Sequence, residues 1–331
     1  MTAGSPQWAA RPGLTAVAAS RLAQCELARN DARFFSLEAN VGEAADPSSF
    51  PFRAEFPERY LPWAGSEASL IGAAGGFALA GKIPLVNLFS SFALIRACEQ
   101  VRLDLCYHHA NAKLFGSIEG PEAGMPEPAR RSIADLAVAR TLPNLTVIAP
   151  ADATAAYHAT LAAGAHAGPV YIRLTRHVTP QVYGPDGNVK DCRFEIGRGI
   201  VLRDGSDLTL VAAGSVVAEA LAAAELLRRD GIDTRVIDLH TVKPIDRALL
   251  KQAAEETGLI ITIEEHPVRG GLGGAVAEAL GDEHPVPMRI LGIPDDCRDR
   301  VGTQEEHLRR CGLDASGIAA GARRVLEWQE A

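Results

Sequence analysis

The sequence predicts an α/β protein of two domains, each a mostly parallel sheet flanked by helices. Short runs rich in β-branched residues alternate with stretches rich in Ala and Leu along nearly the whole chain, which is typical of a parallel sheet covered on both faces. The length of 331 residues suits two domains of roughly 100–200 residues. Pro, Gly, Asn and Asp cluster in Thr179–Asp191, which indicates a linker. We therefore predict domains at residues 1–190 and 191–331.

The elements of the first domain follow from this alternation, and right-handed crossovers should connect its strands. Strands are predicted at Arg33–Leu37, Pro84–Leu88, Ala112–Phe115, Leu145–Ile148 and Val170–Leu174. Helices are predicted at Glu67–Ala80, Phe92–Leu105, Ser132–Arg140 and Thr154–Ala163.

The second domain repeats the pattern, with Gly231 and Gly258 at positions typical of helix C-caps. Its predicted strands are Leu208–Ala212, Thr234–Asp238, Leu259–Glu264 and Met288–Leu291. Its predicted helices are Val216–Arg229, Arg247–Thr257, Gly274–Leu280 and Ala315–Glu327.

Composition and charge exclude several classes of protein. With 47% apolar and 22% charged residues, the chain is neither disordered nor fibrous. Its net charge of −8 argues against a nucleic acid or an anionic membrane as the main partner. No apolar run approaches the roughly 20 residues that span a bilayer. The six cysteines form no CxxC pair, so a reducing cytoplasm is expected, without a zinc site or a disulfide framework.

Two stretches of the first domain place polar or aromatic residues at the start of a predicted helix or after a predicted strand, where a ligand-binding site is expected. Glu67 lies in the first turn of a helix rich in small residues, where Ser66 capping alone would explain the pattern. Phe89 and Phe92 follow a strand, and ligands of parallel sheets bind beyond the carboxyl ends of strands. The two rings suit either a flat ligand ring or ordinary core packing.

Two further stretches carry groups that suit an anion. Arg176 ends a strand, where a guanidinium suits a phosphate or carboxylate, or else a surface salt bridge. Glu264–Gly274 contains a Gly-rich loop before a helix, which resembles an anion cradle. The loop lacks the GxGxxG spacing and follows the wrong strand for a dinucleotide fold, so tight packing is the favoured interpretation.

Taken together, these blocks resemble the transketolase family in order from about residue 15 to the end. Glu58–Tyr60 and Gly65–Gly81 resemble its "ERF…GIAEQNMVGIAAGLALAG", and Gly168–Arg176 resembles its "GPVYIRLxR". Arg140–Asp152 resembles its "RxxPNLTVxxPAD". In the second half, Asp238–Asp246 and Glu264–Gly273 resemble the family's C-terminal domain.

The resemblance implies a pyrimidine-binding domain followed by a transketolase C-terminal domain, and a missing third domain. The sequence lacks the Gly-Asp-Gly…Asn motif with which the family binds the diphosphate and metal of thiamine diphosphate. The chain is therefore identified as the C-terminal subunit of a split transketolase. The resemblance further implies an N-terminal partner subunit that carries the Mg²⁺ ligands, and an α2β2 heterotetramer.

The resemblance also assigns roles to residues of this chain. Glu67 matches the catalytic glutamate that hydrogen-bonds the aminopyrimidine, and Phe92, with Phe89 beside it, matches the aromatic stacked on that ring. Ile95 stands where many members have another aromatic, so the apolar wall is kept with less stacking. Asn40 stands near the aspartate of a family "ADL" motif. Arg176 matches the arginine that binds the sugar phosphate.

This chain departs from the family at the residues that handle the substrate. An ungapped alignment places Ile118 at the first substrate histidine, Arg130 at the second, and Pro126 at the substrate-binding aspartate. None of these side chains reproduces an imidazole. Arg130 or Arg131 suggests an anionic substrate, such as a carboxylate or second phosphate. The alternative is that the loop is simply divergent and solvent-facing.

The predicted function is thiamine-diphosphate-dependent transfer of a two-carbon ketol unit with a specialised anionic sugar phosphate or 2-oxoacid, as in biosynthesis of unusual metabolites. One alternative is a decarboxylating 2-oxoacid enzyme of the deoxyxylulose-phosphate-synthase or dehydrogenase-β type. Another is a non-catalytic regulatory half that has lost the substrate histidines.

Overall fold

The computed structural model describes residues 13–39, 51–118, 134–184, 187, 189, 192–295 and 302–330, and it confirms an α/β fold built on two sheets. The strands are β1 (Phe34–Glu38), β2 (Tyr60–Pro62), β3 (Ile83–Phe89), β4 (Lys113–Ile118), β5 (Thr146–Ile148), β6 (Val170–Thr175), β7 (Ile200–Arg203), β8 (Leu208–Ala213), β9 (Thr234–Asp238), β10 (Thr241–Lys243), β11 (Ile260–Pro267) and β12 (Met288–Ile293). The α-helices are α1 (Ala16–Asn30), α2 (Pro51–Glu55), α3 (Glu67–Leu79), α4 (Cys98–Gln100), α5 (Asp135–Thr141), α6 (Ala153–Ala165), α7 (Val217–Arg229), α8 (Arg247–Thr257), α9 (Leu272–Gly281), α10 (Gln304–Cys311) and α11 (Ala315–Glu330).

The first sheet has seven strands in the order β10-β5-β6-β4-β3-β1-β2, all parallel except β10. Every residue of β3 and β6 is buried. Such continuous burial is typical of a parallel sheet covered by helices on both faces, and it explains why these two strands are mostly apolar, with Asn87 and Arg173 as buried polar exceptions.

The register of the first sheet brings several strand ends to one edge. Glu38 of β1 lies beside Asn87 of β3, and Ile118 of β4 lies beside Thr175 of β6. Phe89 is the last residue of β3. Because parallel strands end together, the residues that follow β1, β3, β4 and β6 share the edge at which α/β proteins bind ligands.

The segment after β3 differs from its prediction. The expected helix Phe92–Leu105 consists of two π-helical turns, Phe92–Arg96 and Val101–Tyr107, on either side of the short α4. The spacing of apolar residues does not reveal this widening, because a π turn changes the hydrogen-bond ladder by only one residue. Such turns are frequent at functional sites.

The second sheet has five strands in the order β12-β11-β8-β9-β7, with β7 antiparallel to β9. Gly258 caps α8 in the left-handed conformation at φ +66°, as predicted. Gly231 has φ +82° and follows the C-cap residue of α7. Both conformations favour glycine because it has no Cβ.

Contacts between the two halves position the first sheet. Strand β10 comes from the second half of the sequence but pairs antiparallel with β5 of the first sheet. Arg173 of β6 donates to the carbonyl of Glu265 at 2.9 Å, and Arg140 donates to the carbonyl of Gly270 at 2.7 Å. In the described part of the predicted linker, Tyr183 is fully buried, so this part packs against the rest of the protein. The domain limit at residue 190 stays a prediction.

Several elements lack a counterpart in the sequence prediction. Strands β2 and β10 have three residues each and β7 has four, too few to display a period. Helix α1 does have the signals of a helix, with Thr15 as its N-cap and an Ala- and Leu-rich run, so it could have been predicted. Helix α10 likewise begins with a capping box at Thr303 and Glu306.

Candidate active site

Glu67 is the first residue of α3 and follows the capping residue at the N-terminus of this helix. The Ser66 hydroxyl accepts a hydrogen bond from the Ser69 backbone at 3.3 Å, so Ser66 is the cap, as the local sequence suggests. The Trp63 indole donates to the Ser69 hydroxyl at 3.0 Å. The Glu67 carboxylate is not used in capping and is 13% exposed. It is therefore available for another partner at the positive end of the helix dipole.

Arg96 is that partner in this chain, and sequence reasoning missed it. Its Nη1 donates to the two Glu67 carboxylate oxygens at 3.2 and 3.4 Å. The same guanidinium lies over the Phe92 ring, 3.9 Å from its centroid. Phe92 and Arg96 begin and end the same π turn, and the side chain of Arg96 contacts both Phe92 and Glu67.

Phe89 and Phe92 form an aromatic wall beside Glu67. Their ring centroids are 5.6 Å apart with an interplanar angle of 85°, an edge-to-face pair. Phe89 is buried and its ring contacts Phe92, which is half-buried beneath the Arg96 guanidinium. Ile95 lies on the same π turn and is 55% exposed, so in this chain it borders the wall with little burial.

Arg176 and Glu38 lie next to this wall. Arg176 is exposed after β6, and its guanidinium carbon lies 5.5 Å from the Phe89 ring centroid. Glu38 ends β1, is buried, and forms an ion pair with Arg21 at 3.3 Å. Burial raises the pKa of Glu38 to about 7, although the charges of Arg21 and Arg176 oppose this shift.

Glu38 is a second acidic residue that sequence reasoning missed, and its charge interacts with that of Arg176. The resemblance drew attention to Asn40, two residues later, but the acidic residue at the end of a strand was itself a usable signal. Asn40 and Arg130 lie outside the residues that the structure describes, so their predicted roles stay predictions. Ile118 is buried at the end of β4, on the same edge of the sheet.

A buried polar network fixes β6 behind the site. The Tyr171 hydroxyl and the Arg173 guanidinium donate to one oxygen of Asp135 at 2.6 and 2.9 Å. Burial is the largest single influence and disfavours the charge of Asp135, but Arg173, His266 and the Tyr171 hydroxyl together outweigh it and hold the pKa of Asp135 below its usual range. The network thus fixes β6, the strand that ends directly before Arg176.

The Gly-rich loop before α9 does not serve an external anion. The Glu264 carboxylate accepts hydrogen bonds from the backbone of Leu272 at 2.6 Å and Gly273 at 2.9 Å. A Cβ on Gly271 would lie 1.8 Å from the Glu264 carboxylate, which explains this glycine. The loop is thus filled by the chain's own side chain, and the packing interpretation is confirmed.

The arrangement fits a flat, hydrogen-bonding heteroaromatic ring. Glu67 supplies a carboxylate and Phe92 supplies an aromatic face, and the two lie close enough for the single side chain of Arg96 to contact both. In the part of the chain that the structure describes, three or more His, Cys, Asp or Glu side chains never group as a metal site would require. The same described residues contain no helix that is long and apolar enough to cross a membrane.

Comparisons with known proteins match both halves of the chain to one family. The family model of the transketolase pyrimidine binding domain matches residues 13–181, and that of the transketolase C-terminal domain matches residues 197–318. The chain is 37% identical over 302 residues to the 6-deoxy-6-sulfo-D-fructose transketolase subunit SqwH of Clostridium sp. (strain MSTE9), covering 91% of each chain. It is 37% identical over 297 residues to an apulose-4-phosphate transketolase subunit of Phocaeicola vulgatus, covering 90% of this chain and 93% of that one.

Two further relatives bear on the architecture. A solved structure described as "Split gene transketolase, inactive beta4 tetramer" superposes with a TM-score of 0.86 at 38% identity, covering 95% of this chain and 99% of that one. The 1-deoxy-D-xylulose-5-phosphate synthase 1 of Geobacter sulfurreducens is 35% identical over 98% of this chain, but over only 50% of its own length. The chain belongs to the transketolase family, as the C-terminal subunit of a split transketolase with its pyrimidine-binding and C-terminal domains.

Proposed function

We propose that this chain, with a partner subunit, forms a thiamine-diphosphate-dependent enzyme that transfers a two-carbon ketol unit to or from an anionic sugar. The observation that carries the proposal is that the Glu67 carboxylate and the Phe92 ring lie close enough for the side chain of Arg96 to contact both, inside the region matched by the pyrimidine-binding model. A carboxyl group and an aromatic face are the two features that an aminopyrimidine requires.

Thiamine diphosphate, when bound, supplies the carbanion chemistry that ketol transfer requires. Glu67 would hydrogen-bond a ring nitrogen and hold or release a proton at its carboxylate oxygen, which is general acid–base work. Phe92 would stack on the ring, and the buried Phe89 would keep Phe92 in position and exclude water. The diphosphate and Mg²⁺ would be held by the partner subunit.

The proposed substrate is inferred from the positive charge of Arg176, at the edge of the first sheet where its parallel strands end. Arg176 is exposed there, and a guanidinium suits a bidentate contact with a phosphate or sulfonate. By their names, two relatives act on 6-deoxy-6-sulfo-D-fructose and on apulose 4-phosphate, sugars that carry an anionic group. We infer that this enzyme also takes an anionic sugar. Ile118 stands where the family has a histidine. It would offer the substrate an apolar contact at the edge of the first sheet where the parallel strands end.

We propose an α2β2 assembly in the cytoplasm. The similar split-gene structure is a β4 tetramer described as inactive, which supports the need for a partner subunit. The scattered cysteines support a reducing compartment. A non-catalytic role is disfavoured because Glu67 and Phe92 are both retained.

Reconstitution with the N-terminal subunit tests the proposal. The two-chain complex with thiamine diphosphate and Mg²⁺ should transfer a ketol unit from a ketose phosphate to an aldose phosphate, and should release no carbon dioxide from pyruvate. Carbon dioxide release without ketol transfer would favour the decarboxylating alternative, which the synthase relative at 35% identity supports. Absence of calorimetric binding of thiamine diphosphate would favour the regulatory alternative.

A further inference from the structure

Arg96 makes both of the contacts that the aminopyrimidine is expected to make. It donates to the Glu67 carboxylate at 3.2 and 3.4 Å. It also covers the face of Phe92 at 3.9 Å from the ring centroid. A guanidinium is planar and delocalised, so it can stack and hydrogen-bond at once in the way that a protonated or amino-substituted heteroaromatic ring does.

The position of Arg96 allows it to leave. Its side chain is 56% exposed, whereas Glu67 is 13% exposed. The pair is therefore open to water on the arginine side and enclosed on the glutamate side. A partly exposed ion pair combined with a cation–π contact corresponds to roughly three- to thirty-fold in an equilibrium constant. This is strong enough to populate one arrangement and weak enough to be displaced.

We propose that Arg96 is a latch, meaning a side chain that occupies the expected aminopyrimidine site at Glu67 and Phe92 until thiamine diphosphate displaces it. This inference rests on the proposed function. With the latch closed, Glu67 keeps a charged partner and Phe92 stays covered. Binding of the pyrimidine requires the latched arrangement to open. Since only the open fraction is competent to bind, the apparent dissociation constant is raised by the inverse of that fraction.

Calorimetric titration of thiamine diphosphate into the reconstituted two-chain complex tests the latch. Arg96→Ala removes both contacts and should tighten the dissociation constant by roughly three- to thirty-fold. Arg96→Lys keeps the charge but cannot stack as a plane, so its constant should lie between those of the wild type and the alanine variant. Arg102→Ala is the matched control: it removes an exposed arginine, paired with Glu99 and six residues from Arg96, and should leave the constant unchanged.

Each outcome of the titration decides the matter. A dissociation constant for Arg96→Ala that is equal to or weaker than that of the wild type overturns the latch while leaving the proposed function intact. Failure of both the wild type and Arg96→Ala to bind overturns the proposed function together with the latch. Thermal unfolding of each variant complex, with a transition like that of the wild type, confirms that the comparison concerns folded protein.

Discussion

At the scale of single residues, the site is a set of charges whose surroundings differ. Glu67 lies at a helix entrance with one partly exposed partner, whereas Glu38 is buried beside Arg21. Arg96 and Arg176 each contact an aromatic ring of the wall, Phe92 and Phe89. The sequence predicts Glu67, Phe89, Phe92 and Arg176 because each matches a motif. It does not predict the role of Arg96: the four-residue spacing from Phe92 suits a contact in any helix, but the pairing with Glu67 joins residues distant in sequence and depends on the fold.

The buried carboxyl of Glu38 should make stability depend on pH. Burial raises its pKa from the ordinary value of 4.5 to about 7, so the folded state binds a proton that the unfolded state releases between these values. The stabilisation is present below about pH 4.5 and is lost as the pH rises through about 7. Glu38→Gln, which stays neutral, should therefore be more stable than the wild type above pH 7, by up to about 3 kcal/mol.

Urea unfolding of both proteins at about pH 5 and about pH 8.5 measures this difference. Comparing the variant with the wild type cancels other groups that titrate in the same range, such as Asp238, whose pKa burial also raises to about 7. An equal stability difference at the two pH values would show that Glu38 is ionised throughout, held by Arg21.

Arg176 should matter for substrate binding and little for stability. It is exposed, so Arg176→Met should shift unfolding little, but loss of a charge-assisted contact should raise the KM for the anionic sugar about ten- to a hundred-fold. Steady-state kinetics of the reconstituted complex measures KM and kcat separately. Arg102→Met, an exposed substitution of the same type, is the control. An unchanged KM would remove Arg176 from the substrate site.

At the scale of elements, the helix that carries Glu67 is positioned by close packing of small residues. A Cβ at Gly75 would lie 3.0 Å from the Asp104 carbonyl of the second π turn, whereas one at Gly76 would meet nothing within 4 Å. The sequence predicts α3 and indicates its small-residue face. It predicts an α-helix in place of the π turns, since the pattern of apolar residues does not specify the hydrogen-bond ladder.

The neighbouring glycines of α3 should respond oppositely to the same substitution. Gly75→Ala must displace backbone atoms and should destabilise the chain by about 1–3 kcal/mol. Gly76→Ala has room for its methyl group and lies inside a helix, so it should stabilise the chain by about 0.5–1 kcal/mol. Urea unfolding of the full chain compares the two variants. Equal effects would mean that α3 does not pack closely on Asp104.

At the scale of the whole molecule, the two halves share one sheet and one buried network. Strand β10 crosses into the first sheet, and Arg173 joins Asp135 to the carbonyl of Glu265. The long buried strands and the order of the motifs made the fold class and the family predictable. The crossing of β10 was not predictable, because a three-residue strand carries no period and its partner is distant in sequence.

The most direct test of the central claim is the turnover of the reconstituted two-chain complex with Glu67→Gln in place of the wild type, at saturating thiamine diphosphate. Glutamine keeps the shape of the side chain but cannot exchange a proton as a carboxyl group does, so ketol transfer should fall by roughly 10²–10⁴-fold. The pair with Arg96 is partly exposed, so unfolding should change by no more than about 1 kcal/mol. Glu99→Gln, an exposed glutamate paired with Arg102, should keep full activity. Turnover by Glu67→Gln within a few-fold of the wild type would contradict the assignment of this site.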